Sequence, residues 1–239
     1  MKYLDLSFND PAANLACDEA LLDFFESEKP GDALLRVWEP RNHFIVLGHS
    51  NRLSSEVDLA ACLERPLPIL RRISGGGAVV QGPGCLNYSL ILNIQTHGVK
   101  SIRDTFLYVL QRHCRAIGAL IGAKTCIKGI SDLAVAGRKF SGNAQYRKSQ
   151  YVLVHGTFLL EFELFLVDRY LKIPAKQPDY RHNRPHLEFI TKLTLESAQV
   201  REGLRNAWNA CEESPVVPLP RIETLVRERY GREEWSRKF

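Results

Sequence analysis

RRISGGGAVVQGPGCLNYSLIL, residues 71–92, decides how this chain is read. Two arginines precede three consecutive glycines, and strand-type residues stand on both sides. Glycine loses the most backbone freedom on folding, so a run of three in a strand region is costly. Strand interiors keep glycine where a ligand or another backbone comes close. The stretch therefore predicts a backbone pressed against something, with two cations beside it. It is not a Walker P-loop, because GxxxxGK[ST] is missing. It is not the Rossmann fingerprint either, because a strand rather than a helix follows the glycines.

A second stretch shares its character: GISDLAVAGRKFSGNAQYRKSQYVLVHGTFLL, residues 129–160. No Asp or Glu occurs between Glu64 and Asp104, or between Asp132 and Glu161. Arg71, Arg72, Arg138, Lys139, Arg147 and Lys148 lie in these windows. A buried sheet alone would deplete carboxylates. The sharper reading is an anion site where the backbone N–H groups of SGGG and several cations converge. AGRKFSG reads as a hairpin with Gly137 in the turn. Lys139 starts the return strand, a position where lysine is commonly a solvated edge charge. The small residues Ser141 and Gly142 follow at once and leave room beside its amine. A fixed ammonium there could polarise an acyl-phosphate or carboxylate. His155 on its apolar strand reads as a core histidine with one hydrogen bond. The basic loop QPDYRHNRPHLEF, residues 177–189, reads equally as a lid, an acceptor contact or plain surface.

Working outward, residues 11–26 carry apolar residues at helical spacing, with Asn9 or Asp10 as the cap. Residues 34–38 and 44–48 read as strands joined by a Pro/Asn turn, and 54–64 as one short helix. Residues 68–73 and 78–80 are strands flanking the glycines. The apolar density of 88–94 predicts a strand buried on both faces. Residues 102–123 form the longest helical pattern. Three strands follow at 132–136, 138–142 and 151–160, then helices at 163–171, 194–211 and 222–230. The order predicts an α+β fold with a mixed, mostly antiparallel sheet covered by helices.

The 239 residues suit one large domain or two small ones. With 45% apolar and 25% charged residues the composition is that of a soluble globular chain. A net charge of +5 is too mild to indicate nucleic acid. No apolar run approaches a membrane span and MKYLDLSFND has no signal-peptide core, so a cytoplasmic location is expected. The six cysteines form no CxxC pair, which argues against a zinc knuckle or redox motif and for reduced thiols. Cys17, Cys62 and Cys114 fall in helical patterns and read as core thiols.

RRISGGGAVV…LNYS resembles the first signature of the lipoate–protein ligases, which share a superfamily with octanoyltransferases and biotin ligases. GRKFSGNAQ followed by HGTFLL resembles their second signature, with its lysine. NLACDEALL (14–22) and LRVWEPRNHFIVLG (35–48) resemble the segments that open the family's catalytic domain. The likeness runs in order from residue 3 to about 195. It leaves 196–239 as C-terminal helices of one catalytic domain, 1–239, without a separate accessory domain.

The resemblance implies a central mixed sheet packed with helices, and a glycine run, Gly75, Gly76 and Gly77, that wraps an acyl-adenylate. By position, Arg72 faces the adenylate phosphate and the backbone from Gly77 through Ala78 and Val79 to Val80 lines the nucleotide. Lys139 holds the acyl carbonyl and phosphate oxygens as the electrostatic stabiliser of transfer to an incoming lysine amine. Asn87 and Ser74 are polar contacts, and Asp132 holds the nucleotide or a metal. ATP with Mg2+ would supply the adenylate, with lipoate or octanoate as acyl substrate. The acceptors would be lipoyl domains of 2-oxoacid dehydrogenases or the glycine-cleavage H protein, with no nucleic acid and no membrane.

Two departures shape the expectation. Ligases often read AV(F/Y)HD where this chain has Ala78-Val79-Val80-Gln81-Gly82. ETLVRERYGREEWSRKF resembles the junction where an accessory domain would begin, so either a separate chain supplies that domain or ATP is not used. An ATP-independent octanoyl or lipoyl transferase would use a cysteine thioester, at Cys126 or Cys85. One octanoyltransferase group keeps its nucleophile in the loop before the lysine strand, which favours Cys126. A non-catalytic binder of lipoyl-AMP or of a lipoylated protein is the remaining class. A biotin ligase is disfavoured because its GRGR-type loop is absent, and no helix-turn-helix precedes the domain.

Overall fold

Every residue from 85 to 92 is buried, and this strand is the middle of the molecule. The structure, a computed structural model, describes residues 1–31, 33–213 and 216–239. Its strands are β1 (Lys2–Asp5), β2 (Leu34–Trp38), β3 (Phe44–Leu47), β4 (Ile69–Arg71), β5 (Val79–Gln81), β6 (Cys85–Asn93), β7 (Thr125–Lys128), β8 (Asp132–Val135), β9 (Arg138–Arg147), β10 (Tyr151–Leu159) and β11 (Glu212–Glu213). Its helices are α1 (Pro11–Glu28), α2 (Leu53–Glu56), α3 (Leu59–Glu64), α4 (Ile102–Ile121), α5 (Phe165–Tyr170), α6 (His186–Phe189), α7 (Ser197–Ala207), α8 (Leu219–Leu225) and α9 (Glu233–Ser236).

Eight strands form the main sheet in the order β11-β1-β2-β6-β10-β9-β8-β7. Only β1 runs parallel to its neighbours, β2 and β11; the other pairs are antiparallel. This is the mixed, mostly antiparallel sheet that the element order predicts. A second sheet has the order β4-β3-β5. On β6, Leu86, Tyr88, Leu90 and Leu92 face the core under α4 and α7. Ile91 faces the other side, where α1 and α8 pack. Period-two alternation with both faces covered makes the strand apolar throughout. The small sheet and α5 cover the rest of that second face through Ile45, Val80, Cys85 and Phe162.

Local chemistry sets the helix ends. Asp10 accepts from Ala12 N and Pro11 takes the first position of α1. Ser101 caps α4 by accepting from Asp104 N, and Gly122 (φ 62°) ends it in the left-handed region. Helix α1 docks on the sheet through a buried ion pair, Arg36 Nη1 to Asp18 Oδ1 at 2.6 Å. Among the described residues no helix is long and apolar enough to cross a membrane.

The structure corrects several element boundaries. Residues 54–64 form two helices, because Val57 leaves to bridge Leu171 and Asp58 caps a new start at Ala61 N. The segment 138–142 extends to Arg147, carried by pairing along β10. The helix expected over 194–211 is confined to Ser197–Ala207. That over 222–230 is α8 followed by a π-turn, Val226–Tyr230. Strands β2 and β3 do not pair with each other; they enter different sheets. Cys17 is fully buried, while Cys62 and Cys114 are half-buried.

Candidate active site

Strands β4 and β5 lie on opposite sides of β3, so residues 72–78 must cross its end. The crossing is possible because residue 48 is glycine: a Cβ there would overlap the Gly76 carbonyl oxygen. Gly76 itself sits at φ +94°, in the region that favours glycine. Arg72 turns inward and is 8% exposed. Its Nη2 donates to the Gly75 and Gly77 carbonyls at 2.7 and 2.9 Å, and its Nε to Ser74 Oγ at 3.1 Å. The Gly75 and Gly77 carbonyls are thus spent on the guanidinium, and the Ser74 carbonyl on His49 N. Among the described residues no group accepts from the N–H of Gly75, Gly76 or Gly77, and all three glycines are exposed. Amides left outward in a turn make an anion cradle. Burial pulls the Arg72 pKa down to about 10, against the opposing pull of Glu56, so it stays charged at neutral pH.

Residues with no sequence signal hold the far side of the loop. Ala78 N donates to Glu56 Oε2 at 3.2 Å, and Asn51 Nδ2 donates to Glu56 Oε1 at 3.1 Å. Asn51 Oδ1 in turn accepts from Gly48 N at 2.6 Å. Val79 is partly exposed and Val80 lies in the core. At the root of the loop, Ser74 Oγ meets His155 Nε2 at 2.6 Å. Burial, then the charge of Arg72, pushes the His155 pKa down to about 3, so the ring is neutral. The single side-chain hydrogen bond is as expected, but the ring is half-buried at the edge of the site rather than in the core.

Asn87 is already committed. Its Nδ2 donates to Gln81 Oε1 at 3.0 Å, Gln81 Nε2 to Thr157 Oγ1 at 2.7 Å, and Thr157 Oγ1 back to Asn87 Oδ1 at 2.5 Å. This closed ring spends Gln81, which stands where the ligase pattern has His. At the next position, where that pattern has Asp, the space a side chain on Gly82 would fill is taken by the His43 ring.

Lys139 lies on the same face of the main sheet as His155 and Thr157. Its Nζ pairs with Asp132 Oδ1 at 2.6 Å. The register row Asp132–Gly142–Thr157–Asn87 runs across four strands. A Cβ on Gly142 would stand 2.8 Å from Lys139 Nζ, so Gly142 makes room for the lysine itself. Gly142 and Ala144 floor the space between Lys139 and His155, which pairs with Ala144. The turn before Lys139 has Ala136 at φ 48° and Gly137 at φ 76°, the backbone of a two-residue hairpin loop.

Ser141 is a correction. It pairs with Leu133 and Phe158, which face the core under α4, and it is 0% exposed. The ladder shifts by one residue between Leu133 and Ala134, so Ala134 pairs with Lys139. One extra residue on β9, a β-bulge, sends Lys139 and Ser141 to opposite faces although they are two apart.

Cys126 pairs with Ala134, which pairs with Lys139, so the cysteine lies on the lysine's face two strands away. It is half-buried, and its Sγ approaches Ala134 O at 3.7 Å. Cys85 has no access: it is 0% exposed among Ile45, Val80 and Phe162, and burial pushes its thiol far up. The thioester expectation therefore narrows to Cys126.

The basic loop 177–189 packs on the β8–β9 hairpin. Arg138 Nη2 donates to Leu187 O and Ile190 O, Arg184 Nη2 to Gly137 O, and Thr191 N to Lys139 O. Tyr180 of this loop donates to Asp132 Oδ2 at 2.8 Å. Burial, then Asp132, pushes its phenol above the ordinary value, so it remains a donor. Two surface hollows, one beside Tyr108 and Trp208 and one beside Arg232 and Trp235, contain none of these residues.

The cradle suits a phosphate group. For Mg2+ the site offers Asp132, already divided between Lys139 and Tyr180, and Glu56, already accepting from Ala78 N and Asn51 Nδ2. Among the described residues no three His, Cys, Asp or Glu side chains cluster to hold a metal. A Mg2+ here would therefore rest chiefly on a nucleotide's own phosphates.

Comparison with known proteins agrees with this geometry. The family described as "Lipoyl protein ligase A/B catalytic domain" matches residues 10–201. Octanoyltransferase LipM of Moorella thermoacetica is 28% identical over 274 aligned positions, covering 99% of this chain and 97% of that protein. Lipoate-protein ligase LplJ of Bacillus subtilis is 29% identical over 177 positions, covering 72% of this chain and 50% of that protein. In fold, the chain superposes with a TM-score of 0.83 at 21% identity on a structure of a bi-partite lipoate protein ligase and its E2 lipoyl domain from Thermoplasma acidophilum, covering 99% of this chain and 95% of that one. Lipoate-protein ligase A bound with ATP gives 0.81 at 21% identity, covering 99% and 98%. The chain therefore belongs to the lipoyl protein ligase A/B catalytic domain family, and it is an enzyme of that ligase and octanoyltransferase group.

Proposed function

We propose that this enzyme attaches a lipoyl group, by way of lipoyl-AMP, to the acceptor lysine of lipoyl domains. The observation that carries the reading is the glycine loop. Its Gly75 and Gly77 carbonyls are pinned by Arg72, its three exposed glycine amides find no acceptor among the described residues, and it roots through Ser74 and His155 on the face that holds Lys139. Such a cradle takes the phosphate of an acyl-phosphate anhydride, and the lysine takes the acyl carbonyl.

In the transfer step the acceptor's amine nitrogen bonds to the acyl carbon and gives up a proton. The bond from that carbon to the phosphate oxygen breaks, and AMP leaves with the electron pair. Negative charge grows on the carbonyl oxygen, and the ammonium of Lys139 is placed to meet it. Arg72 acts by shaping the loop and tying it to β3, since its hydrogen bonds go to the loop's own oxygens and to Val46 O. The two ligase and lipoyl-domain structures named above support ATP and a lipoyl domain as the substrates of this reading.

A second reading has its own observation. Cys126 lies in register with Lys139 across Ala134, on one sheet face. The chain also spans 97% of an octanoyltransferase but about half of LplJ. In that reading Cys126 takes the acyl group as a thioester from a carrier protein and passes it to the acceptor lysine, without ATP. Intact-mass analysis of an apo lipoyl domain separates the two. One reaction contains lipoate with ATP and Mg2+, the other octanoyl acyl carrier protein alone. The ligase reading predicts a lipoyl mass gain that requires ATP and persists in Cys126→Ala. A gain only from the carrier thioester, lost in Cys126→Ala, would replace it with the transferase.

A further inference from the structure

Tyr180 belongs to no motif of the sequence, yet it touches the site's central ion pair. Its phenol donates to Asp132 Oδ2 at 2.8 Å while Asp132 Oδ1 holds Lys139 Nζ at 2.6 Å. Asp132 is 8% exposed, so its two oxygens are divided between a phenol and the lysine with little water to compete. The Tyr180 ring is itself fixed. A Cβ on Gly129 would stand 3.7 Å from Tyr180 Cε1, and the Phe189 ring lies 5.0 Å away, centroid to centroid. Arg184 Nη2 ties the Tyr180 carbonyl at 2.8 Å and the Gly137 carbonyl at 3.2 Å, so loop and hairpin form one unit.

A carboxylate with one partner can rotate and present either oxygen, or both, to an ammonium. A second donor on the far oxygen removes that freedom. Lys139 needs this: a fixed resting place over Gly142 from which it turns toward a developing oxyanion. We infer that Tyr180 is a positioning residue that sets the place of the Lys139 ammonium through Asp132. Its bearing on acyl transfer rests on the function proposed above; the coupling to Lys139 does not.

Competitive labelling with acetic anhydride, read by mass spectrometry, measures how free Lys139 is relative to the exposed Lys100. Tyr180→Phe keeps the ring and its contacts with Gly129 and Phe189. It is expected to raise the relative labelling of Lys139 about threefold, and Asp132→Asn at least as much. The double variant should match Asp132→Asn alone, because Tyr180 acts through that carboxylate. Unchanged labelling in Tyr180→Phe would overturn the inference, as would an increase that adds to that of Asp132→Asn. In turnover, Tyr180→Phe should lower kcat about tenfold and leave KM for the acyl donor within about twofold, as misplacement of a stabilising charge does. A loss confined to KM would contradict it. A wild-type protein with no acyl transfer would strike the proposed function alone, and the labelling would still decide on Tyr180.

Discussion

His155 stands between the glycine loop and the main sheet, and its neutral ring meets Ser74 at 2.6 Å. Its pKa, pushed down to about 3 by burial and Arg72, lies below that of an unfolded-state histidine. The unfolded chain therefore binds the proton first as pH falls. The contribution to stability is full above the unfolded value near 6.5 and is lost as pH drops toward 3. His155→Gln has no such titration. Urea unfolding should show the wild-type advantage constant above about pH 6.5, then shrinking by about 1.4 kcal/mol per pH unit at most below it. A difference that does not change with pH would contradict the neutral ring. At this scale much of the site was legible. Lys139, Asp132 and Gly142 come together, and the outward glycines stand on a loop that Ser74 joins to His155 on the same sheet face. Ser141 does not, because one bulged residue on β9 reverses its face, and no side-chain pattern in RKFSGN marks that bulge. Asn51 and Glu56 were not legible, since each reaches the site from a segment without local signal; the basic loop 177–189 stands out in the sequence, but nothing in it marks Tyr180.

The glycine loop is an element shaped by what passes beneath it. Gly48 ends the strand FIVL, and the Gly76 carbonyl rests where its side chain would be. Both sides of that contact are backbone, so neither can yield as a flexible side chain would. Gly48→Ala should displace the loop and cost about 1–3 kcal/mol of stability, the usual range for overpacking. It should also slow acyl transfer at least tenfold. Thermal melting with a parallel rate assay checks this; an unchanged melting temperature and rate would show that the loop does not lean on residue 48. The strands were legible where they are long and apolar, as β6 and β10 are. β1, β7 and β11 were not, since KYLD, TCIK and EE carry no apolar run, whereas the equally short FIVL and DLAV do. The split of 54–64 rests on Val57, whose bridge to Leu171 spans a distance in sequence that periodicity does not register.

Across the whole molecule, Arg71 joins the chain's last residues to the root of the glycine loop. It is fully buried and donates to the carbonyls of Gly48, His49 and Asn51 on one side, and of Trp235 and Ser236 on the other. Trp235 Nε1 donates back to Arg71 O at 2.8 Å. Arg71→Met should release both sides together. Amide exchange should quicken at least tenfold in 48–53 and in 232–239, with the β6–β10 core unchanged. Faster exchange in only one of these segments would show that they are not coupled through the guanidinium. Where α1 docks on the sheet, Asp18→Ala would leave Arg36 buried without its counter-ion and should cost about 3–5 kcal/mol in urea unfolding. The fold class followed from element order, and the packing of helices on both faces from the apolar density of residues 88–94. The second sheet did not follow, because its strands are 3 to 4 residues long and two of them flank a loop that the sequence places between neighbours.

The central claim is that Lys139 supplies the charge that acyl transfer requires. The most direct test is the initial rate of acyl gain by an apo lipoyl domain, followed by intact mass, for the wild type and for Lys139→Ala at matched folded fraction and with the donor the wild type uses. The account predicts a fall of at least about a hundredfold, the size seen when a preorganised charge-stabilising donor is removed. A Lys139→Ala rate within about threefold of the wild type would contradict it.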